Sequence, residues 1–166
     1  MYTFEFTDKE IKIYKTKKKI LIKEMIPEKI IVNNKIYDYL KLVSILNKIL
    51  VKYKIVNTLF RIHVKVLVFE KMSPSEIYLF KSAFKSITNA VVEIINVYRY
   101  FDSNYIFISG DTLYYGNKKL DNLKKGEYVL VGNSDNYESV RDYLIKKYKV
   151  KILEYENSNT IIYEKV

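Results

Sequence analysis

The feature that most constrains the fold is a strand–helix–strand pattern between residues 64 and 97. The runs Val64–Phe69 and Ala90–Val97 are almost continuously apolar, which is typical of strands covered on both faces. Between them lies Ser73-Pro74-Ser75-Glu76, in which a capping serine precedes proline at the first helical position and glutamate at the third. The pattern predicts a capped helix that joins two parallel strands by a right-handed crossover.

Three segments before this unit predict an antiparallel start to the same sheet. Apolar and polar residues alternate over residues 2–6, 10–15 and 19–24, and short polar stretches separate the segments. Pro27 ends the third strand because proline cannot donate to a strand ladder. A helix is predicted from Ile36 to about Tyr53, since apolar residues recur there at three- and four-residue spacing.

A second, smaller lobe is predicted over residues 101–166, after a first lobe over residues 1–100. Turn residues separate its short apolar runs, and the predicted class for the whole chain is therefore α/β. In chain order the predicted elements are a hairpin (Tyr105–Ile108 and Thr112–Tyr115), a strand (Tyr128–Val131), a helix opened by Asp135 and Glu138, and two closing strands (Val150–Leu153 and Thr160–Tyr163).

The chain carries few of the residues that enzymatic chemistry uses. Its 166 residues include no cysteine and one histidine, His63, so a cysteine nucleophile, a disulfide framework and a thiolate metal site are excluded. The four glycines stand apart from one another, and no P-loop, GxGxxG or GxSxG motif occurs. We interpret the protein as a non-enzyme that needs no cofactor and acts on no small-molecule substrate.

Two alternatives for chemistry stay open in the predicted hairpin turns. Asp8 and Asp111 each lie at a hairpin tip, and a pair of carboxylates could bind Mg²⁺ or activate water if the lobes brought them together. The turn Ser109–Thr112 could hold an anion on its backbone amides. An ordinary hairpin turn, with Gly110 in a left-handed conformation, is the simpler interpretation of that stretch.

The positive charge of the chain is concentrated in the first lobe. The formal net charge is +10; residues 1–100 carry 19 Lys and Arg against 9 Asp and Glu, whereas residues 101–166 carry 10 against 10. A basic lobe favours an acidic partner, which could be a protein, a nucleic acid or an anionic membrane surface. A lysine-rich composition that only keeps the protein soluble accounts for the charge equally well.

Aromatic residues cluster in the second half of the chain, which contains many of the 17 tyrosines. Tyrosine and arginine are favoured anchors of protein interfaces, although aromatic residues also suit base stacking or an ordinary half-buried strand. The candidate partner-binding residues are Tyr98, Arg99, Tyr100, Phe101, Tyr114 and Tyr115.

The order of these elements resembles the first subdomain of the actin-like superfamily. The resemblance lies in VKVLVFEKMSPSEIYLFKSAFKSITNAVVEII (64–95), and the second lobe is similar to a shrunken second subdomain through YIFISGDTLYYG (105–116) and YVLVGNSDNYESVRDYL (128–144). It implies an RNase H-like mixed sheet of five strands in the order 3-2-1-4-5, with helices, and a reduced second α/β lobe.

The nucleotide-binding turns of that superfamily are altered in this sequence. Active members hold phosphate and metal with an Asp-x-Gly-Thr/Ser turn, where this chain has Phe6-Thr7-Asp8-Lys9 without glycine. The second phosphate turn is reduced to Ser109–Thr112, and the glycine pair that receives adenosine is reduced to Gly132-Asn133. The resemblance therefore implies that ATP turnover is lost.

This chain resembles one degenerate branch of the superfamily. It comprises the cytoplasmic domains of inner-membrane platform proteins of type IV pilus and type II secretion machines, PilM-like and GspL-like. The resemblance implies a scaffold that recruits the hexameric assembly ATPase and contacts other platform proteins or a second copy of itself. It also implies a cytoplasmic location, tethered to the inner membrane by a segment beyond Val166. The alternatives are a basic nucleic-acid-binding protein, although no nucleic acid is expected, and a working actin-like ATPase.

Overall fold

The chain forms two compact units, each built on a mixed β-sheet with helices. The computed structural model describes residues 1–32, 35–56, 59–132, 137–153 and 161–166. The first unit consists of Met1–Val68 and Met72–Ile95, and the second of Phe69–Lys71 and Asn96–Val166. The α/β class predicted from the sequence is confirmed.

The first unit contains a five-stranded sheet and a separate two-stranded pair. In the sheet, β1 is antiparallel to its hairpin partner β2 and parallel to β6, and the strand order is β3-β2-β1-β6-β7. The small pair β4–β5 lies outside this sheet. The strands are β1 (Tyr2–Phe6), β2 (Glu10–Lys15), β3 (Ile20–Met25), β4 (Ile31–Val32), β5 (Lys35–Ile36), β6 (Ile62–Val68) and β7 (Ala90–Asn96).

Side-chain caps set where the two helices of the first unit begin. The predicted capping box of α2 (Pro74–Lys85) is confirmed: the Glu76 N–H donates to Ser73 Oγ at 3.3 Å, and the Ser73 N–H donates to Glu76 Oε2 at 2.7 Å. Helix α1 (Tyr39–Lys52) begins three residues after the predicted start at Ile36. The Asp38 carboxylate caps this helix. Ile36 lies in β5 and pairs with Ile31 of β4.

One hydrophobic core joins the sheet of the first unit to both of its helices. The helices pack against each other and against one face of the sheet, and Phe4 of β1 meets Phe84 of α2 edge-to-face at a centroid distance of 4.9 Å. Core side chains come from the β1–β2 hairpin (Phe4, Phe6, Ile11 and Ile13), from α1 (Leu42, Leu46, Ile49 and Leu50) and from α2 (Phe80, Ala83 and Phe84).

The second unit contains another five-stranded sheet, in the order β10-β9-β8-β11-β12. The predicted hairpin is confirmed, since β8 is antiparallel to β9, and β11 is parallel to both β8 and β12. The elements are β8 (Tyr105–Ser109), β9 (Thr112–Tyr115), β10 (Lys118–Lys119), β11 (Glu127–Gly132), α3 (Tyr137–Tyr148), β12 (Lys151–Leu153) and α4 (Ile161–Lys165).

Two details of the second unit differ from the sequence prediction. The closing strand predicted at Thr160–Tyr163 is wrong for residues 161–163, which lie in α4. An apolar run this short has no periodicity that separates strand from helix. Thr160, Asn133 and Asp135 lie outside the described residues. No helix in the described ranges is both long and apolar enough to cross a membrane.

Candidate partner-binding site

The predicted aromatic site begins at a short 3-10 turn, Val97–Tyr100, that follows β7. The Asn96 side chain starts this turn by accepting a hydrogen bond from the Tyr98 N–H at 3.1 Å. The Tyr98 ring is half buried and meets Phe107 edge-to-face at 4.8 Å. Burial raises the pKa of the Tyr98 phenol well above its usual range, and the nearby backbone amides of Asn117 and Gly116 oppose this shift. The Tyr98 hydroxyl has no hydrogen-bond partner among the described residues.

Two more of the predicted residues join Tyr98 inside the second unit. Phe101 contacts Phe107 edge-to-face at 5.1 Å, and the Lys165 ammonium lies 4.4 Å from the Phe101 ring centroid. Tyr114 is 1% exposed and stacks on Phe69 at 5.5 Å. These rings form an aromatic core in which Tyr114 has almost no surface for a partner to contact.

The remaining three predicted residues are more accessible but do not form one patch. Arg99 is exposed and Tyr100 is 38% exposed, both in the 3-10 turn. Tyr115 points to the opposite sheet face from Tyr114, as the period of two along a strand requires, and meets Tyr128 edge-to-face at 5.5 Å. Of the six candidates, only Arg99 and Tyr100 offer an exposed pair.

The first predicted hairpin turn binds its own backbone groups. The Thr7 hydroxyl accepts from the N–H of Glu10 at 3.0 Å and from that of Lys9 at 3.4 Å, and it donates to the Glu10 carbonyl at 3.0 Å. The Thr7 N–H donates to the same carbonyl at 3.0 Å. An anion could reach these two amides only by displacing the threonine side chain.

The second hairpin turn has the geometry expected of an ordinary tight turn. Ser109 and Thr112 are paired, and Gly110 lies between them with a φ of +58°. Asp8 and Asp111 belong to different units, each at the tip of its own hairpin. Within the described ranges, no group of three or more His, Asp and Glu side chains could hold a metal ion.

Gly132, expected beside adenosine from the resemblance, has a packing role at the end of β11. Its φ is +153°, and an added Cβ would lie 2.4 Å from the carbonyl oxygen of Ile108, the residue it pairs with on β8. Real side chains do not tolerate such a contact with backbone, so the approach of the two strands requires glycine here.

A groove of about 700 Å³ lies between the β8–β9 hairpin and α3 in the second unit. Its apolar surface comes from Ile108, Leu113, Leu120 and Val140. At its rim the Lys147 ammonium donates to the Tyr143 hydroxyl at 2.8 Å, and this hydrogen bond raises the pKa of Lys147. Apolar side chains bordered by polar ones are the usual composition of a binding groove.

A smaller, basic pocket of about 460 Å³ lies in the first unit at the edge strand β7. Arg61, Lys81 and Lys85 line it together with residues 88–92. None of the three cations forms a salt bridge with any carboxylate in the described part of the chain. The pocket therefore combines a concave shape with uncompensated positive charge.

Sequence reasoning identified neither the groove nor the basic pocket. Each is lined by residues from three or more separate segments, which become neighbours only through the fold. The only advance signal was the excess of positive charge in the first lobe. No protein-family model matches the chain, and no curated protein matches it.

Proposed function

We propose that this protein is a non-catalytic scaffold with an actin-like fold, which docks the cytoplasmic assembly ATPase of a type IV pilus or type II secretion platform at the inner membrane. The observation that carries the proposal is the strand order. Without the separate β4–β5 pair, the strands of the first sheet follow the order 3-2-1-4-5 in chain sequence, and those of the second sheet follow the same order.

The connections between strands support the same fold. In each unit a hairpin opens the sheet, and a helix joins its fourth and fifth strands: α2 between β6 and β7, and α3 between β11 and β12. The first strand is parallel to the fourth in both sheets. A shared fold does not establish a shared function, so the docking role depends on the surface chemistry of this chain.

The chemistry of the turns supports a scaffold over an ATPase. The Thr7 hydroxyl already occupies the amides of Lys9 and Glu10, and Gly132 serves to bring β11 against β8. Exposed Arg99 and Tyr100 offer anchors that protein interfaces favour. The basic first unit would complement an acidic surface on the ATPase.

Copurification with purified assembly ATPases, together with calorimetry in Mg-ATP, tests the proposal. We expect one of the ATPases to form a complex that survives gel filtration, and no binding heat with Mg-ATP. Arg99→Glu should weaken the complex, whereas Lys125→Glu, at an exposed position of the second unit outside the groove, serves as the control. Tight Mg-ATP binding would identify a working nucleotide-binding protein and contradict the scaffold proposal.

Nucleic-acid binding is the second candidate, and the basic pocket favours it. Neutralising three phosphates with Arg61, Lys81 and Lys85 predicts an affinity that falls about forty-fold between 50 and 200 mM salt. Anisotropy with a labelled DNA duplex measures this fall. Charge reversal of Lys81 and Lys85 should remove this salt-dependent binding, whereas charge reversal of Lys124 and Lys125 in the second unit should leave it unchanged. Binding that does not change with salt would reject this candidate.

A further inference from the structure

We infer that the groove of the second unit is the docking site for an amphipathic helix of a partner protein, with a basic residue near the C-terminal end of that helix. The inference deepens the proposed function and rests on it for the partner's role as an assembly component.

The first unit shows what covers the corresponding face of its own sheet. There, Phe6 of β1 pairs with Ile11 of β2, and their side chains belong to the same core as both helices. Helix α1 packs beside α2 and contributes four side chains to that core. As a result, Ile11 and Ile13 on β2 are both fully buried.

The second unit repeats the strand positions without this cover. Ile108 pairs with Leu113 as Phe6 pairs with Ile11, yet Leu113 and Tyr115 on β9 are only partly buried. Residues 120–126 connect its third and fourth strands without a helix, and only Leu123 from this connection is buried in the core. Among the described residues, the groove therefore lies where helix α1 of the first unit has no counterpart.

The size and composition of the groove fit the apolar face of a helix. A volume of about 700 Å³ accommodates several aliphatic side chains, and Leu113, Leu120 and Val140 give them apolar contacts. The charged residues that line the groove are Asp111, Lys119, Asp121 and Lys147. In the first unit α1 buries Leu42, Leu46, Ile49 and Leu50, a spacing of i, i+4, i+7 and i+8. This is the spacing by which helices anchor in hydrophobic grooves.

The charge at the rim of the groove indicates which end of the partner's helix should carry a basic residue. In the first unit the last residue of α1, Lys52, pairs with Glu24 on β3, the third strand. In the second unit Asp121 follows the third strand and lines the groove at 69% exposure, and within the described ranges its ion pair is with exposed Lys118. A surface pair of this kind contributes little, and a partner's lysine or arginine could replace Lys118.

Fluorescence anisotropy on the full chain tests the groove with a labelled peptide of the α1 sequence, residues 39–52. We expect a dissociation constant on the order of 10–100 µM, because a short isolated helix must be ordered on binding. A peptide of the same composition in permuted order, which destroys the apolar stripe, should bind at least ten-fold more weakly.

Matched variants locate the binding. Leu120→Lys should weaken the peptide at least ten-fold, and Tyr143→Ala, at a 48% exposed rim position, about three-fold. Tyr78→Ala on α2 of the first unit, at a 69% exposed position, should leave binding unchanged. Asp121→Lys should weaken the peptide about three-fold, whereas Asp142→Lys, an equally exposed carboxylate outside the groove, should not.

The inference would be overturned by equal binding of the ordered and permuted peptides, by equal loss in the groove and control variants, or by self-association of the chain that Leu120→Lys abolishes. The last would assign the groove to a second copy. Loss of ATPase copurification with retained peptide binding would reject the proposed function alone. An ATPase complex unaffected by Leu120→Lys would reject the groove alone.

Discussion

The β1–β2 and β8–β9 hairpins occupy the same place in their two sheets, but their surroundings differ. Helices α1 and α2 bury one face of the first hairpin. The corresponding face of the second hairpin is covered by α3 and Leu123, which leave part of it exposed in the groove. The comparison indicates that the strand order does not depend on a complete helical layer. In the described part of the second unit, a sheet of this order retains a core with one covering helix fewer on this face.

The opposite faces of the two hairpins differ in chemistry as well. In the first, Glu5 pairs with Lys12 across the strands, with the Lys12 ammonium 3.0 Å from Glu5 Oε1 and 3.6 Å from Glu10 Oε1. In the second, the corresponding pair is Phe107 and Tyr114. Lys12 and Glu5 are 0% and 3% exposed, so one hairpin buries charge at the position where the other buries aromatic rings.

The largest expected effect comes from breaking the buried ion pair. Lys12→Met should lower the free energy of unfolding by about 3–5 kcal/mol, because it leaves the buried Glu5 carboxylate without its main counter-charge. Urea denaturation measures the loss. The double change Glu5→Leu with Lys12→Leu should restore most of the stability by giving the first hairpin an apolar pair like that of the second. A single variant as stable as the parent would show that Glu5 is not held by Lys12.

A smaller loss is expected where β11 approaches β8. Gly132→Ala should cost about 2–3 kcal/mol, because the new methyl group meets the Ile108 backbone and the φ angle disfavours L residues. Gly116→Ala is the matched control: its φ is +60°, but no atom lies within 4 Å of the added Cβ, so about 1 kcal/mol is expected. Equal losses in the two variants would mean that the strand approach does not constrain Gly132.

The helix cap of the first unit predicts that the contribution of Glu76 to stability depends on pH. The Ser73 backbone N–H, which donates to Glu76, lowers the pKa of that carboxyl below its unfolded value. Its stabilisation is therefore present above the unfolded pKa and is lost as the pH falls through the folded one. Ser73→Ala should cost about 1 kcal/mol at neutral pH. Glu76→Gln should differ from the parent at pH 7 and converge with it in acid, as thermal unfolding can show.

The smallest effect is expected at an exposed cross-strand ion pair in the second unit. Lys151 on β12 donates to Glu127 on β11 at 2.9 Å, and both side chains are more than half exposed. Glu127→Gln should change stability by no more than about 0.5 kcal/mol, and high salt should remove the difference. A loss comparable to that of Lys12→Met would show that burial does not separate the two kinds of pair.

Local signals in the sequence were sufficient for most of the secondary structure. The capping box at Ser73 and the alternation of the first strands involve residues within three or four positions of one another. They therefore do not depend on contacts with distant parts of the chain. The start of α1 was less predictable. Ile36 fits the helical spacing, but its backbone pairs with Ile31 before Asp38 begins the helix.

Side-chain environment was predictable only where the local pattern determined it. Lys12 alternates with Ile11 and Ile13, which assigns it to a solvent face, yet it is fully buried beside Glu5. Tyr114 looked like a surface anchor, and its burial depends on Phe69, more than forty residues earlier. The groove lies where the first unit has helix α1 and the described residues of the second unit have no helix, a difference that no single segment encodes.

Three residues between β6 and α2 have a consequence for dividing this protein into parts. Phe69–Lys71 belong to the second unit although the first unit flanks them on both sides. Phe69 stacks on Tyr114, and the Lys71 N–H donates to the Asn117 carbonyl at 3.1 Å. A fragment that starts at Asn96 would lack the ring that covers Tyr114 and expose apolar surface. The two units therefore alternate along the chain: a single cleavage between Ile95 and Asn96 leaves the first unit complete but separates three residues from the second.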